Sequence, residues 1–465
     1  MLNPETQWAL ETFSHAELGD PRRTSRLIQV AAAAAESPGG TVTSVFTKPA
    51  EKEGAFRLLE NSKVEPTAIA NAVHVATARR CAEHPWVYVA LDQSTLAFVD
   101  RKHVRGLGKV GDGRIRRWRG LEVMTGLALS PDGVPLGVCA TRWFCRPDEH
   151  SGWGKNDTRP VEDRESGMWL DAIDNIAKLL REHTPSTKPW FQIDRGGDFW
   201  RVFDVAREHR FDVTVRASHN RVVESKGGRT TMKLREAVSR ERVAGRFKIC
   251  RPRQRGRDPI RLKMSVRARP VTVLMADDKR PRRRFELWVV QVKEVGSPIK
   301  RKRVVWNLLT THPADDLDSA LEVVRAYTMR WRIEEFHRTW KEGHCQLERS
   351  QLRSADAIKR WAIILAAVAA RIERLKQLSR KQGDLDASAE LTQDEVDAAI
   401  LLSGTKRWKL GAKLTVAEAV ELIAQIGGYT GKSSGGPPGS VTIGRGLERI
   451  APAAAMARHL RETSG

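Results

Sequence analysis

Between Val87 and Arg216 short apolar runs alternate with amphipathic stretches of helical period, and this alternation restricts the chain to a small set of folds. Val87–Leu91 is a continuous apolar run, the mark of a strand buried on both faces, and it ends at Asp92. Strands are expected at Val123–Leu129 and Val138–Phe144, a helix at Gly167–Leu180, and a strand at Pro189–Ile193 ending at Asp194. A helix at Phe199–Glu208 and a strand at Phe211–Arg216 follow. The class is α/β. After a strongly basic stretch, Val304–Leu309 returns as a strand and feeds one long helix from about Ala314 to Gly343.

The flanks read as helical. In GDPRRTSRL, Asp20 suits a helix N-cap and Pro21 the first helical position, which places Arg22 and Arg26 one turn apart on one face, with Arg23 beside them. That face is either a phosphate-contacting surface or a solvated one. A polar stretch, Ser37–Thr43, separates it from a second helix near Glu51–Glu60. Beyond the core, helices are expected at Ala355–Leu378, Gln393–Leu402 and Val416–Ile426, and Gly427–Ser440 reads as a flexible loop. The expected division is 1–70, 71–376 and 377–465, with a basic β-rich insertion at about 221–303.

Charge narrows the partner. The chain of 465 residues has a formal net charge of +23, and Arg221–Arg303 alone holds 27 lysines and arginines against 8 acids. So dense a charge on one module implies a polyanion and argues against an enzyme confined to small neutral metabolites. The longest apolar run, Trp361–Ala370, is far short of the ~20 residues of a spanning helix, so a buried core helix is expected and no membrane partner. Met1–Phe13 shows no signal or transit pattern. Five cysteines without CxxC spacing fit reduced thiols in the cytoplasm. Two glycine patterns are decoys: Gly106, Gly108 and Gly111 lead into strand-like sequence, and GGYTGKSS has Ile426 where a P-loop needs its first glycine.

Asp92 and Asp194, each after a strand, can meet at one rim of a sheet, although either alone also fits a turn or cap. In AYTMRWRIEEFHRTWKEG, 100° per residue gathers Tyr327, Arg330, Glu334, Arg338 and Lys341 within about 80°, while Met329, Ile333, Phe336 and Trp340 form an opposite apolar back. Glu335 falls off the stripe. An acid among bases facing two more acids suits divalent cations and phosphodiester chemistry; an amphipathic helix with i, i+4 ion pairs such as Arg330–Glu334 is the other reading.

The segment YTMRWRIEEFHRTWK resembles the Y-(2)-R-(3)-E-(6)-K signature of DDE transposases of the insertion-sequence-four family, most closely the Tn-five type, with Tyr327, Arg330, Glu334 and Lys341 in its four places. ELGDPRRTSRL, GAFRLLEN, ALDQST, WFCRPDE, ESGMWL, IDRGGD and VVWNLLT extend the likeness; Arg338 stands where Lys is common, and the Gly/Pro-rich tail departs from the pattern. The resemblance implies a ribonuclease-H-like catalytic core with a β-strand insertion, an N-terminal helical domain reading transposon ends, and a C-terminal helical region pairing two protomers. It also implies that Asp92, Asp194 and Glu334 hold Mg²⁺, with Mn²⁺ as substitute and two ions per site. Tyr327, Arg330 and Lys341 would grip phosphates, and Trp306 would stack on a flipped base as a DNA hairpin forms. The expected enzyme is a cut-and-paste transposase acting on double-stranded end DNA and target DNA as a homodimer, cytoplasmic and nucleoid-associated when DNA-bound. A transposase-derived DNA-binding regulator that no longer cuts, and a metal-dependent nuclease without strand transfer, are the alternatives. The insertion lies between the second and third acids, where it is expected to line DNA against the site.

Overall fold

The computed structural model describes residues 4–100, 105–110, 118–146, 166–224, 230–251, 260–277, 280–296, 303–431 and 436–464. Gly111, 147–149 of WFCRPDE, Glu165 of ESGMWL and 432–435 of the glycine-rich stretch lie outside them.

The N-terminal part is five helices: α1 (Pro4–Phe13), α2 (Pro21–Glu36), α3 (Val42–Val45), α4 (Pro49–Leu59) and α5 (Pro66–Cys81). Asp20 caps α2 by accepting from the Arg22 N–H at 2.9 Å, with Pro21 next to it as the sequence suggests. The short α3 falls partly within the stretch expected to be a loop.

The core follows as β1 (Trp86–Val99), β2 (Gly108–Lys109), β3 (Trp118–Leu129), β4 (Pro135–Phe144), α6 (Gly167–His183), β5 (Lys188–Ile193), α7 (Trp200–His209) and β6 (Asp212–Arg216). The basic stretch supplies β7 (Val222–Glu224), β8 (Thr231–Lys233), α8 (Leu234–Ser239), β9 (Gly245–Arg251), β10 (Ile260–Asp277) and β11 (Arg280–Glu294). Then come β12 (Val305–Thr310), α9 (Leu317–Met329), α10 (Trp331–Lys341), α11 (Ala355–Lys381), α12 (Gln393–Ser403), α13 (Val416–Ile426) and α14 (Ser440–Ser464).

Among the described residues these strands form one sheet, ordered β2-β3-β1-β5-β6-β12-β11-β10-β7-β8, with β4 on β3 and β9 on β10. Strands β4, β3 and β1 are antiparallel, and β5 and β6 run parallel to β1. The insertion is therefore a continuation of the core sheet. One face packs on α9, α10, α11 and the N-terminal helices, and the other on α6, α7 and α8. Buried Arg360 of α11 donates to the carbonyls of Leu59 and Val64, tying the N-terminal helices down. Trp361–Ala370 lies buried within α11, and no helix among the described residues is long and apolar enough to cross a membrane. Cys81, Cys139 and Cys345 are free thiols, and the Cys145 thiol donates to the Gly106 carbonyl at 3.4 Å.

Three expectations change. β1 does not end at Asp92: it stays paired with β3 as far as Val99, while β5 departs after Leu91. The long helix divides at Arg330, whose N–H bonds to the Tyr327 carbonyl at 3.2 Å and whose carbonyl accepts from Ile333 at 3.2 Å. These i, i+3 bonds tighten one turn without interrupting the apolar period, so periodicity alone does not reveal the junction. The tail carries a further helix, α14, packed on α12 and α13. Its Gly444, Gly446 and Pro452 lower helix propensity and hide it in sequence. A Cβ on Gly446 would meet the Ile423 carbonyl, so the glycine allows close approach of α14 to α13.

Candidate active site

The last parallel pair between β1 and β5 is Leu91 with Ile193, so Asp92 and Asp194 are each the next residue along. Asp92 continues in β1 opposite Thr125. Asp194 leaves its strand, and its Oδ1 accepts from the Gly196 N–H at 2.7 Å, fixing the turn that follows. Alternation along β1 puts Ala90, Asp92 and Ser94 on one face, and α10 crosses that face. Lys341 Nζ is 3.3 Å from Ser94 Oγ, and Arg330 lies 3.6 Å from Asp92 Oδ2 and 2.5 Å from Glu334 Oε1. The third acid thus reaches the rim through a shared guanidinium. The apolar back formed by Ile333, Phe336 and Trp340 is fully buried, with Trp340 Nε1 donating to the Ala362 carbonyl of α11. Glu335 instead bonds Arg332, Lys376 and Gln377.

Burial pushes the Asp92 carboxyl up to about 7; Arg330 opposes the rise, and the charges of Asp194 and Glu334 add to it. Asp194 and Glu334 therefore both lie within electrostatic reach of Asp92. Among the described residues no three His, Cys, Asp or Glu side chains are drawn into a single ligand cluster. The donor set nonetheless fits a hard divalent cation: all donors are carboxylate oxygens, and Asp92 is held in an environment that a cation would relieve.

Tyr327 is 2% exposed, edge-on to Trp306 at 5.8 Å, and its hydroxyl interacts with Arg330 and Arg216. Burial raises its pKa against the pull of these arginines. Trp306 is half-buried on β12, opposite Val292 of β11. Arg338 is exposed on α10, and Lys341 also lies 3.7 Å from Glu348. Arg216 escaped the sequence reading. It closes β6, the strand beside β5, and that position at the same rim was the available signal. The buried Nε atoms of Arg216 and Arg330 have no hydrogen-bond partner among the described residues. Trp331, 48% exposed, offers an aromatic face next to Arg330.

Arg22, Arg23 and Arg26 lie on α2, and among the described residues no hydrogen bond or ion pair joins them to the acids. Arg22 is solvent-exposed, Arg23 donates to the Leu18 carbonyl at 2.8 Å, and Arg26 packs on Gly54 of α4.

A sheet of three antiparallel strands extended by two parallel ones, with carboxylates and arginines at the parallel rim, defines a ribonuclease-H-like enzyme of phosphodiester chemistry. Three family models match along the chain: Transposase DNA-binding over residues 5–64, Transposase DDE domain over 171–370, and Transposase Tn5 dimerisation domain over 367–465. The chain belongs to the DDE transposases of the Tn5 type. It is a DNA-binding enzyme that cleaves DNA, transfers strands and forms dimers, in a family that uses divalent metal ions. Asp92 lies outside all three matched stretches, so its place among the acids rests on geometry.

Proposed function

We propose that the protein is a cut-and-paste transposase in which Asp92, Asp194 and Glu334 are the catalytic acids. Water attacks the phosphodiester at the transposon end, breaking the P–O3′ bond to leave a 3′-hydroxyl and a 5′-phosphate. That hydroxyl attacks a phosphodiester of the opposite strand, displacing the 3′-oxygen of the flanking DNA as a hydroxyl and closing a hairpin. A second water breaks the P–O3′ bond so made, restoring the 3′-hydroxyl, which then attacks a target phosphodiester and displaces the target strand's 3′-oxygen. Asp92, Asp194 and Glu334 would hold two Mg²⁺ ions, with Mn²⁺ as substitute; bound there, the ions supply Lewis acidity and neutralise developing negative charge.

Arg330, with Tyr327 and Arg216 behind it, and Lys341 and Arg338 along α10 hold the phosphates flanking the reacting one. Trp306 stacks on the unpaired base of the hairpin, worth ~1–3 kcal/mol by the scale of single-strand binders. Arg22, Arg23 and Arg26 contact phosphates of the end from α2. The working division is 1–70 for end recognition, 71–376 for chemistry and 377–465 for pairing protomers. The observation that carries the reading is the meeting of Asp92, Arg330 and Glu334 at the rim where Asp194 follows β5.

The test is a gel assay with paired end DNA and a target plasmid, with Mg²⁺ or with EDTA. Asp92→Ala, Asp194→Ala and Glu334→Ala should each abolish cleavage while end binding persists, and EDTA should do the same to the unmodified protein. A variant that still cuts at full rate removes its residue from the assignment. Trp306→Ala should reduce hairpin yield more than first nicking. Cleavage products that never join target would identify a nuclease without strand transfer.

A further inference from the structure

The registers assign the described basic residues of β9, β10 and β11 to one side of the sheet or the other. Leu91, Ile193, Val215, Leu309 and Val289 are paired across adjacent strands and share the face covered by α6, α7 and α8. Asp92 and Arg216, one residue further along their strands, point to the opposite face, where α10 lies. Continuing the pairing from Val289 outward, Lys293 of β11 is opposite Ser265 of β10, which is opposite Arg246 of β9; in the next row Lys263 is directly opposite Lys248, and Arg261 follows. These cations therefore lie on the face away from the carboxylates.

Among the described residues no helix covers that face beyond α8. Helix α8 covers it only as far as Arg267 and Arg269, which close over the end of the helix by bonding the carbonyls of Glu241 and Ala237. Beyond them Arg246, Lys248, Arg261 and Lys263 are exposed and Lys293 is half-buried, and among the described residues none of the five makes a hydrogen bond or ion pair through its side chain. Like charges directly opposite across strands oppose sheet formation. Protection of an edge strand would need charges on β9 alone, yet Arg261, Lys263 and Lys293 carry the charge two strands inward. The array gains stability only when an anion neutralises it.

Resting on the transposase reading, we infer that this back face of β9, β10 and β11 is a second duplex-DNA surface, and that it carries target DNA. Its rows repeat at about 7 Å along the strands, with strands about 4.8 Å apart, a grid of point charges for a phosphate backbone. The five groups are all lysine or arginine on strands, a set that grips phosphates without requiring a fixed sequence. End DNA must be read by sequence and must present its scissile phosphate to the carboxylates on the other face. A captured target has no fixed sequence, and its flanking duplex can wrap past the rim.

The experiment compares the full-length protein with an Arg246→Gln, Lys248→Gln, Lys263→Gln triple variant and with Lys248→Arg, Lys263→Arg. Binding of a random-sequence duplex is measured against salt, apart from any chemistry, together with end-DNA binding, end cleavage and joining to target. The triple variant should lower the slope of log affinity against log salt for random duplex by ~2–3 and reduce target joining at least tenfold. End binding and cleavage should stay within about twofold, and the arginine variant should behave as wild type. Equal loss of end binding would assign the face to end DNA and overturn the inference. So would unchanged random-duplex affinity. Because that affinity is read without cleavage, failure of the proposed chemistry shows separately, as absent cleavage by the unmodified protein.

Discussion

Asp198 lets the link between fold and site be tested by a single substitution. Its side chain is fully buried four residues after Asp194 and accepts from Ser218 N (2.7 Å), Ser218 Oγ (2.8 Å), His219 N (3.2 Å), Arg221 Nε (3.1 Å) and Arg221 Nη2 (2.9 Å). One carboxylate thus clamps the turn after Asp194 to the segment that opens the basic insertion. Hydrogen bonds to a charged group are worth ~1.5–3 kcal/mol singly, but they share one acceptor and do not add. The relevant scale is removal of one partner from a buried ion pair, ~3–5 kcal/mol, because Arg221 would keep its charge without a counterion. Asp198→Ala should therefore remove a large part of a stability of order 5–15 kcal/mol. Asp198→Asn, of equal size, must turn an NH₂ toward donors and should lose somewhat less. The Asp194 turn would loosen in both, and a displacement near 1 Å at a reacting centre can lower rate about 100-fold. Thermal unfolding and single-turnover end cleavage, measured below the melting transition of each variant, give the two readouts. An Asp198→Ala protein with unchanged Tm and unchanged cleavage would refute the reasoning.

Gly446→Ala should destabilise the C-terminal helices by at least ~1–3 kcal/mol, since its Cβ would press on the Ile423 carbonyl; reduced Tm and weaker self-association in sedimentation would register it. His312, stacked on Trp190 at 4.0 Å, is opposed in charging by burial, but Asp212 at 2.9 Å and Glu322 at 3.8 Å prevail and raise its pKa. Since the folded value is the higher one, this contribution to stability is full below about pH 6.5 and is lost as pH climbs through the raised pKa. Unfolding midpoints of His312→Gln across that range should vary less with pH than those of the unmodified protein; identical profiles would remove His312 as the source.

Much of the site was legible because helical and strand periods are local. The 100° step separated Glu334 from Glu335, and the structure puts the first beside Arg330 and the second into a network with Lys376 and Gln377. Apolar runs located β1, β5 and β6, and Asp20 with Pro21 located the start of α2. Arg216 stayed hidden because a strand's last residue acquires meaning only when its neighbours are known. The C-terminal helix stayed hidden because its glycines serve contact with α13 at the expense of helix propensity.

The sequence by itself determined the α/β class, the charge-dense insertion, the helix face carrying Glu334 and the transposase family, since each depends on residue type and spacing along one segment. Only the tertiary structure decided that β1 runs on past Asp92, that Arg330 breaks the helix and sits between Asp92 and Glu334, and which side of the sheet the described cations of β9, β10 and β11 occupy. Those outcomes depend on strand register and helix junctions, where a shift of one residue moves every side chain to the opposite face. The insertion read in sequence as a lining for DNA at the three acids, yet the described cations of β9, β10 and β11 face away from them.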